Sequence, residues 1–283
     1  MEFLKKLCSV NSVSGNEEKV AEIIKNEISE YVDEIYTDVM GNLIAVKKGS
    51  ETSRKFMLAA HMDEIGVMVT FIDDKGYLRF TNLGGVKTDY LCGRAVIFDN
   101  GVKGIVFKED NVELSKAKLG NFYIDIGAKG KEEAQKLVSV GQVGAFEGTF
   151  SKLGEKISSK ALDDRVGCYV LTEVIKKLKN SPYECYFVFT VQEELGLRGA
   201  KTAAFTINPD YALAVDVTGT GDIKEAKPMA VELSKGAAIK VRDKGIISSR
   251  KMVSFLTTLA KENNIPYQME VLDQGSTDAG EIH

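Results

Sequence analysis

The run Tyr186–Val191 (YFVFTV) reads as a strand buried on both faces, and two residues later it meets adjacent glutamates, Glu193 and Glu194, with no lysine or arginine beside them until Arg198. Two carboxylates side by side at the end of a buried strand repel each other. Solvent, a basic partner or a metal ion must therefore compensate them. The pattern recurs along the chain. FMLAA (Phe56–Ala60) ends on His61-Met62-Asp63, and Leu213-Ala214-Val215 ends on Asp216. In an open α/β sheet, ligands collect in the crevice beyond the carboxyl ends of the strands. If these three strands are parallel neighbours, one imidazole and several carboxylates converge there. A fourth acidic cluster, Asp163-Asp164 in SKALDDRVG, stands where a helix begins and can face the same edge.

The remaining texture fits such a sheet. In the N-terminal part, Val20, Ile23, Ile24, Ile28 and Tyr31 fall at helical spacing, with Ser14 as N-cap and Glu17 and Glu18 in the first turn. EIYTDVMGNLIAV reads as a hairpin turning at Gly41-Asn42. From about Ile65 to Phe150 short β-like runs dominate, turning at Asp74-Lys75-Gly76 and Asn100-Gly101 and interrupted by one helical patch, KEEAQKLV. That is the pattern of a small barrel or sandwich. Beyond Ser159, helices and strands alternate again. The expected fold is α/β: an open mixed sheet flanked by helices, formed by residues 1–64 and 151–283 and interrupted by an all-β insertion at 65–150.

Composition narrows the chemistry. A net charge of −4 gives no electrostatic reason to expect nucleic acid or an anionic membrane as partner. MEFLKKLCSV lacks the apolar core of a signal peptide, and no stretch approaches the about 20 apolar residues of a membrane span. Cys8, Cys92, Cys168 and Cys185 are scattered without a CxxC pair, which suits reduced thiols in the cytoplasm and argues against zinc held by cysteines. With only two histidines, His61 and His283, carboxylates must supply most ligands of any metal site.

Each signal alone has a plainer explanation. His61 can be a structural histidine, Asp163-Asp164 helix-capping acids, Glu193-Glu194 the start of a solvated loop, and Asp216 a turn acid. Together they favour a metal site. A carboxylate bridging two divalent ions, flanked by one histidine and further acids, suits zinc or cobalt better than calcium. Such a pair activates a shared water, and a free glutamate beside a ligand glutamate can serve as general base. A turn at the strand end would let one glutamate bind metal while the other faces the water.

Five motifs in order, AAHMDEIG, KALDDRVG, VQEELGLRGA, AVDVTGTGD and GSTDAG, resemble the dinuclear metallo-aminopeptidases of the glutamyl-aminopeptidase and tetrahedral-aminopeptidase type, some of which carry the label endoglucanase. The resemblance runs from SVSG onward and takes in IDIGAKGKEEAQKLVSVG in the β insertion. It implies that His61, Asp163 and Asp216 hold one metal, that Asp163 bridges to a second held by Glu194, and that Glu193 is the general base. It further implies that Asp63 orients His61 through its other ring nitrogen, and that Asp164 positions Asp163 across a cis peptide. The β insertion would mediate dimerisation, and the dimers would assemble into a tetrahedral dodecamer that admits only peptides. Two departures stand out. Ser276 replaces a usual glycine, and the family's Arg-Tyr-x-His segment, whose histidine completes the second site, has no counterpart here; His283 aligns upstream of it. The expectation is a truncated chain or an incomplete second site.

The expected function is therefore a metal-dependent aminopeptidase acting on short peptides. One alternative is an endoglucanase-type glycosidase using Glu193 and Glu194, which are poorly placed for carboxyl groups that must flank a sugar bond at about 5–9.5 Å. The chain also has no tryptophan on which a sugar ring could stack. The other alternative is an inactive, truncated homologue.

Overall fold

The computed structural model describes residues 1–50, 54–224 and 228–283. Two amphipathic helices open the chain, α1 (Glu2–Ser9) and α2 (Glu18–Ile28), each burying one stripe: Leu4, Leu7 and Cys8, then Val20, Ile24 and Ile28. The second helix begins later than the sequence suggests. Glu17, not Ser14, occupies the cap position, and the Ser14 hydroxyl donates instead to Asp63 Oδ2 at 2.6 Å. A buried carboxylate is a stronger partner for a hydroxyl than a helix-end amide. The expected hairpin follows as β1 (Glu34–Thr37) and β2 (Leu43–Lys47), with β3 (Lys55–His61) after it. In the turn, Gly41 takes a φ of +106°, while Asp38 Oδ1 accepts the N–H groups of Met40, Gly41 and Asn42.

The β-rich middle closes as a barrel rather than a sandwich. Its strands are β4 (Gly66–Ile72), β5 (Leu78–Leu83), β6 (Ala95–Phe98), β7 (Lys103–Lys108), β8 (Phe122–Asp125) and β9 (Val143–Phe146), in the closed order β4-β5-β8-β7-β6-β9. Alternate residues such as Val67 and Val69, Leu78 and Phe80, Val96 and Phe98 point inward, so closure removes the sheet edges and fills the interior at once. Helix α3 (Lys131–Leu137) adds Ala134 to this core.

After a short hairpin, β10 (Ser151–Leu153) and β11 (Lys156–Ser158), the chain supplies α4 (Leu162–Lys177), β12 (Glu184–Thr190), α5 (Arg198–Ile207) and β13 (Tyr211–Ala214). The main sheet has the order β1-β2-β12-β3-β13, with β12, β3 and β13 parallel to one another. Period-two alternation divides the side chains between two cores. Leu43, Ala45, Phe187 and Phe189 face α1, α2 and α4, whereas Ile44, Val46 and Val188 face α5. Burial of a side chain such as Phe187 or Phe189, both fully buried, contributes about 1.5–3 kcal/mol.

The last elements are β14 (Ala237–Arg242), α6 (Arg250–Glu262), β15 (Tyr267–Val271) and α7 (Ala279–Ile282). Strands β14 and β15 pair in parallel with each other instead of extending the main sheet. Their polar alternation explains this: Lys240 lies opposite Glu270 in the register and reaches both Glu270 (3.4 Å) and Asp243 (3.5 Å). A strand that keeps charge on one face does not suit a sheet covered on both. All four cysteines are free thiols, and among the described residues no helix is long and apolar enough to cross a membrane.

Candidate metal centre

Because β3, β12 and β13 run parallel side by side, their carboxyl ends share one edge. His61 stands directly opposite Thr190 in the register, and Asp216 follows β13 by two residues. His61 Nε2 lies 3.0 Å from Asp163 Oδ1 and 3.9 Å from both Glu193 Oε2 and Asp216 Oδ1. The ring is 2 % exposed. Its other nitrogen, Nδ1, meets the main-chain oxygen of Asp63 at 3.0 Å, with the Asp63 carboxylate further away at 3.5 Å. The histidine is thus oriented through Asp63, but chiefly by its carbonyl. The carboxylate is turned to the glutamates, accepting the N–H of Glu193 at 3.0 Å and that of Glu194 at 3.2 Å.

The two aspartates at the start of α4 divide. Asp163 is half exposed and faces the His61 ring. Asp164 is fully buried and accepts the His61 N–H at 3.3 Å and the Gly167 N–H at 3.0 Å. The peptide between them is cis. Donor atoms of His61, Asp164 and Asp216 lie within 4.8 Å of one another, so by distance Asp164 also belongs to the cluster. Glu194 reaches toward the barrel, where its Oε2 accepts the Gly85 N–H at 3.3 Å. A cavity of about 400 Å³ opens beside Asp163 and Glu194, walled by Ile65, Gly85, Ala161 and Leu162. His283 is exposed just past α7.

The electrostatics mark a shortage of positive charge. Burial first, and then the neighbouring acids, push Glu193 up to about 9, Asp216 to about 7 and Glu194 to about 6, and raise Asp164 well above the carboxylate range. Burial disfavours charge on His61, yet Asp163 and Asp63 outweigh it and raise the imidazole well above 6.5. Without a further cation, then, this edge holds protons. One imidazole with its Nδ1 fixed by a carbonyl, surrounded by oxygen donors, is a ligand set that suits one or two divalent ions.

Sequence reasoning overlooked several residues that shape this edge. Asp278 is buried and raised to about 6, its Oδ2 accepting the Thr190 hydroxyl at 2.5 Å. Its position inside GSTDAG was the available signal. Glu64 is buried against Lys160 at 2.7 Å, with Arg165 at 3.7 Å. Ser14, Glu17 and Asn42 also act here, and each reads locally as a cap, a first-turn acid or a turn residue.

The architecture is thus an α/β sheet with an acid-rich carboxyl edge, interrupted by a closed barrel. The chain belongs to the M42 glutamyl aminopeptidase family, whose model matches residues 41–283. It is 54 % identical over 283 residues to a protein of Acetivibrio thermocellus named "Putative aminopeptidase", covering 100 % of this chain and 85 % of that protein. The structure of the TET1 peptidase of Pyrococcus horikoshii, which can assemble into a tetrahedron or a large octahedral shell, matches with a TM-score of 0.86 at 36 % identity, over 99 % of this chain and 86 % of that one. A Thermotoga maritima protein described as an endoglucanase matches with a TM-score of 0.84 at 36 % identity, over 97 % and 85 %. By family, this chain is a hydrolase of the aminopeptidase type.

Proposed function

We propose that the protein is a metal-dependent aminopeptidase that removes the N-terminal residue of short peptides, with Glu193 as general base. In this reading His61, Asp163 and Asp216 would hold one divalent ion, Asp163 and Glu194 would hold a second, and zinc and cobalt are the metals that suit the donors. Bound ions of this kind supply Lewis acidity, activating water and polarising the scissile carbonyl. The protein's own part is proton transfer and orientation. Glu193 takes a proton from the attacking water and delivers it to the departing amine nitrogen. Asp63 fixes the main chain of both glutamates, and Asp164, tied to the main chain of His61 and Gly167, steadies the aspartate before it.

The observation that carries this reading is the convergence of Asp163, Glu193 and Asp216 on His61 Nε2 at 3.0, 3.9 and 3.9 Å. Asp163 rather than Asp164 is given the ligand role because its carboxylate is half exposed beside His61 Nε2, whereas Asp164 is buried and holds the main-chain N–H groups of His61 and Gly167. A glycosidase reading would leave His61, Asp163 and Asp216 without a task. The tetrahedral or octahedral shells of the Pyrococcus horikoshii relative support a homo-oligomer, and the four free thiols support a reducing, cytoplasmic setting.

The test is release of free amino acids from short peptides by protein stripped of metal and reloaded with zinc or cobalt. Chelation should abolish release, and Glu193→Gln should lower kcat by about 10²–10⁴-fold while bound metal is retained. Release of reducing sugar, or peptide cleavage indifferent to Glu193→Gln, would reject the proposal.

A further inference from the structure

We propose that Glu17 and Asn42 are positioning residues for the glutamate pair and that, together with Asp63, they hold four successive main-chain N–H groups at the end of β12. The strand ladder stops at Thr190. Past that point the buried backbone still needs acceptors. The Val191 N–H donates to Asn42 Oδ1 at 3.0 Å and the Gln192 N–H to Glu17 Oε1 at 3.0 Å. The Glu193 and Glu194 N–H groups donate to Asp63 Oδ1 and Oδ2 at 3.0 and 3.2 Å. All four acceptors are side-chain oxygens, supplied by three separate parts of the chain.

The backbone they hold is one that would otherwise relax. Gln192 has a φ of +53°, a left-handed conformation unfavourable for a residue other than glycine. That turn takes the chain out of the strand so that Glu193 and Glu194 are presented at the sheet edge. The acceptors are themselves fixed. Asn42 is fully buried, and its Nδ2 donates to Asp38 Oδ2 at 2.7 Å and to the Gly199 carbonyl at 3.0 Å. Gly199 lies so close that a Cβ there would stand 2.3 Å from Asn42 Oδ1. Glu17 is 5 % exposed, and the same Oε1 accepts the Gly15 N–H at 2.8 Å. Both residues act on the glutamates through the main chain and touch neither carboxylate.

The catalytic consequence rests on the aminopeptidase reading, whereas the positioning itself does not, and the test separates the two. Amide hydrogen exchange across residues 189–196 is compared in the metal-loaded parent, Glu17→Met, Glu17→Asp and Glu17→Gln, alongside kcat and KM on a short peptide. Met lacks the acceptor, Asp is one methylene too short to reach Gln192, and Gln keeps an oxygen at the Oε1 position. Met and Asp should speed exchange at residues 192–194 about tenfold, the equivalent of one lost hydrogen bond, with protection elsewhere retained. They should also lower kcat about tenfold with KM nearly unchanged, and Gln should rescue both effects. Unchanged protection at 192–194 in Met and Asp would overturn the proposal, as would a loss of protection spread evenly over the whole protein. Local loss in a parent that cleaves no peptide would leave the positioning standing and remove the aminopeptidase reading.

Discussion

The carboxylate of Asp63 accepts the main-chain N–H groups of Glu193 and Glu194 through its two separate oxygens, so the histidine strand and the glutamate strand are joined by one side chain. Burial alone would raise this carboxyl, but the His61 ring, the Ser14 hydroxyl and the Glu193 N–H outweigh it and hold it below the usual range. Asp63→Asn keeps the shape but offers one oxygen to two donors and turns an NH₂ toward an N–H. The expected loss is about 2 kcal/mol of unfolding free energy in the metal-free protein, the cost of a buried donor left without a charged acceptor. Urea unfolding measures it, and a loss within the scatter of surface substitutions would contradict this role for Asp63.

Glu17 gives the metal-free protein a calculable pH dependence. Burial, with Asp63 nearby, raises its carboxyl to about 7, against an ordinary 4.5. Between those values the folded state binds more protons than the unfolded state, so this group's contribution declines as pH rises through the window. Glu17→Gln keeps the acceptor and removes the titration. Its stability relative to the parent should therefore increase from about pH 4.5 to about pH 7 and then level off, reaching an advantage of about 3 kcal/mol. Urea unfolding at several pH values checks the sign, and a difference independent of pH would contradict it.

Some of this was legible in the sequence and some was not. The strand ending at Glu193-Glu194 could be read because a fully buried strand is a continuous apolar run, and the all-β insertion, though not its closure into a barrel, because short strands with glycine turns repeat at close spacing. The helix–strand alternation implied an α/β sheet, but the parallel placement that gathers His61, Glu193 and Asp216 stood only as a condition until the strand pairing was known. Ser14 and Glu17 were misjudged because local helix-start chemistry prefers the same residues that Asp63 and Gln192 recruit from a distance. Asp278 acts on Thr190 across 88 residues, a separation that no local pattern encodes. The pairing of β14 with β15 depended on charge matching between Lys240 and Glu270, which is visible only once the register is known.

Metal loading should release protons. In the metal-free state Glu193 is raised to about 9, Asp216 to about 7 and Glu194 to about 6, while His61 is raised well above 6.5. Ligands must give up their protons to bind, and the charge of the ion drives the proton off Glu193 beside them, so protons compete with the metal. Zinc or cobalt affinity should weaken as pH falls from about 9 to about 6, and more protons should be released per ion at the acid end. Calorimetry in two buffers of different ionisation enthalpy counts those protons. Binding without proton release at the acid end would show that the ion sits elsewhere.

Lys160 and Glu64 form a buried ion pair where the chain passes between the sheet and the barrel, with Lys160 Nζ 2.7 and 2.8 Å from the two Glu64 oxygens. Glu64 also accepts the Ser12 N–H at 3.1 Å, and Arg165 stands 3.7 Å away while donating to the Met62, Leu7 and Ser12 carbonyls. Burial lowers the Lys160 amine, so this ammonium depends on Glu64 for its charge. Removing one partner strands the other charge in a dry setting, so Lys160→Met or Glu64→Met alone should cost about 3–5 kcal/mol. The double variant replaces a desolvated pair by apolar groups and should cost less than the sum of the two, by at least about 1 kcal/mol. Thermal or urea unfolding of the three variants and the parent closes the cycle. Simple additivity would mean that Lys160 and Glu64 are stabilised independently, Glu64 by Arg165 and Ser12 and Lys160 by the Val10 carbonyl that it reaches at 3.2 Å.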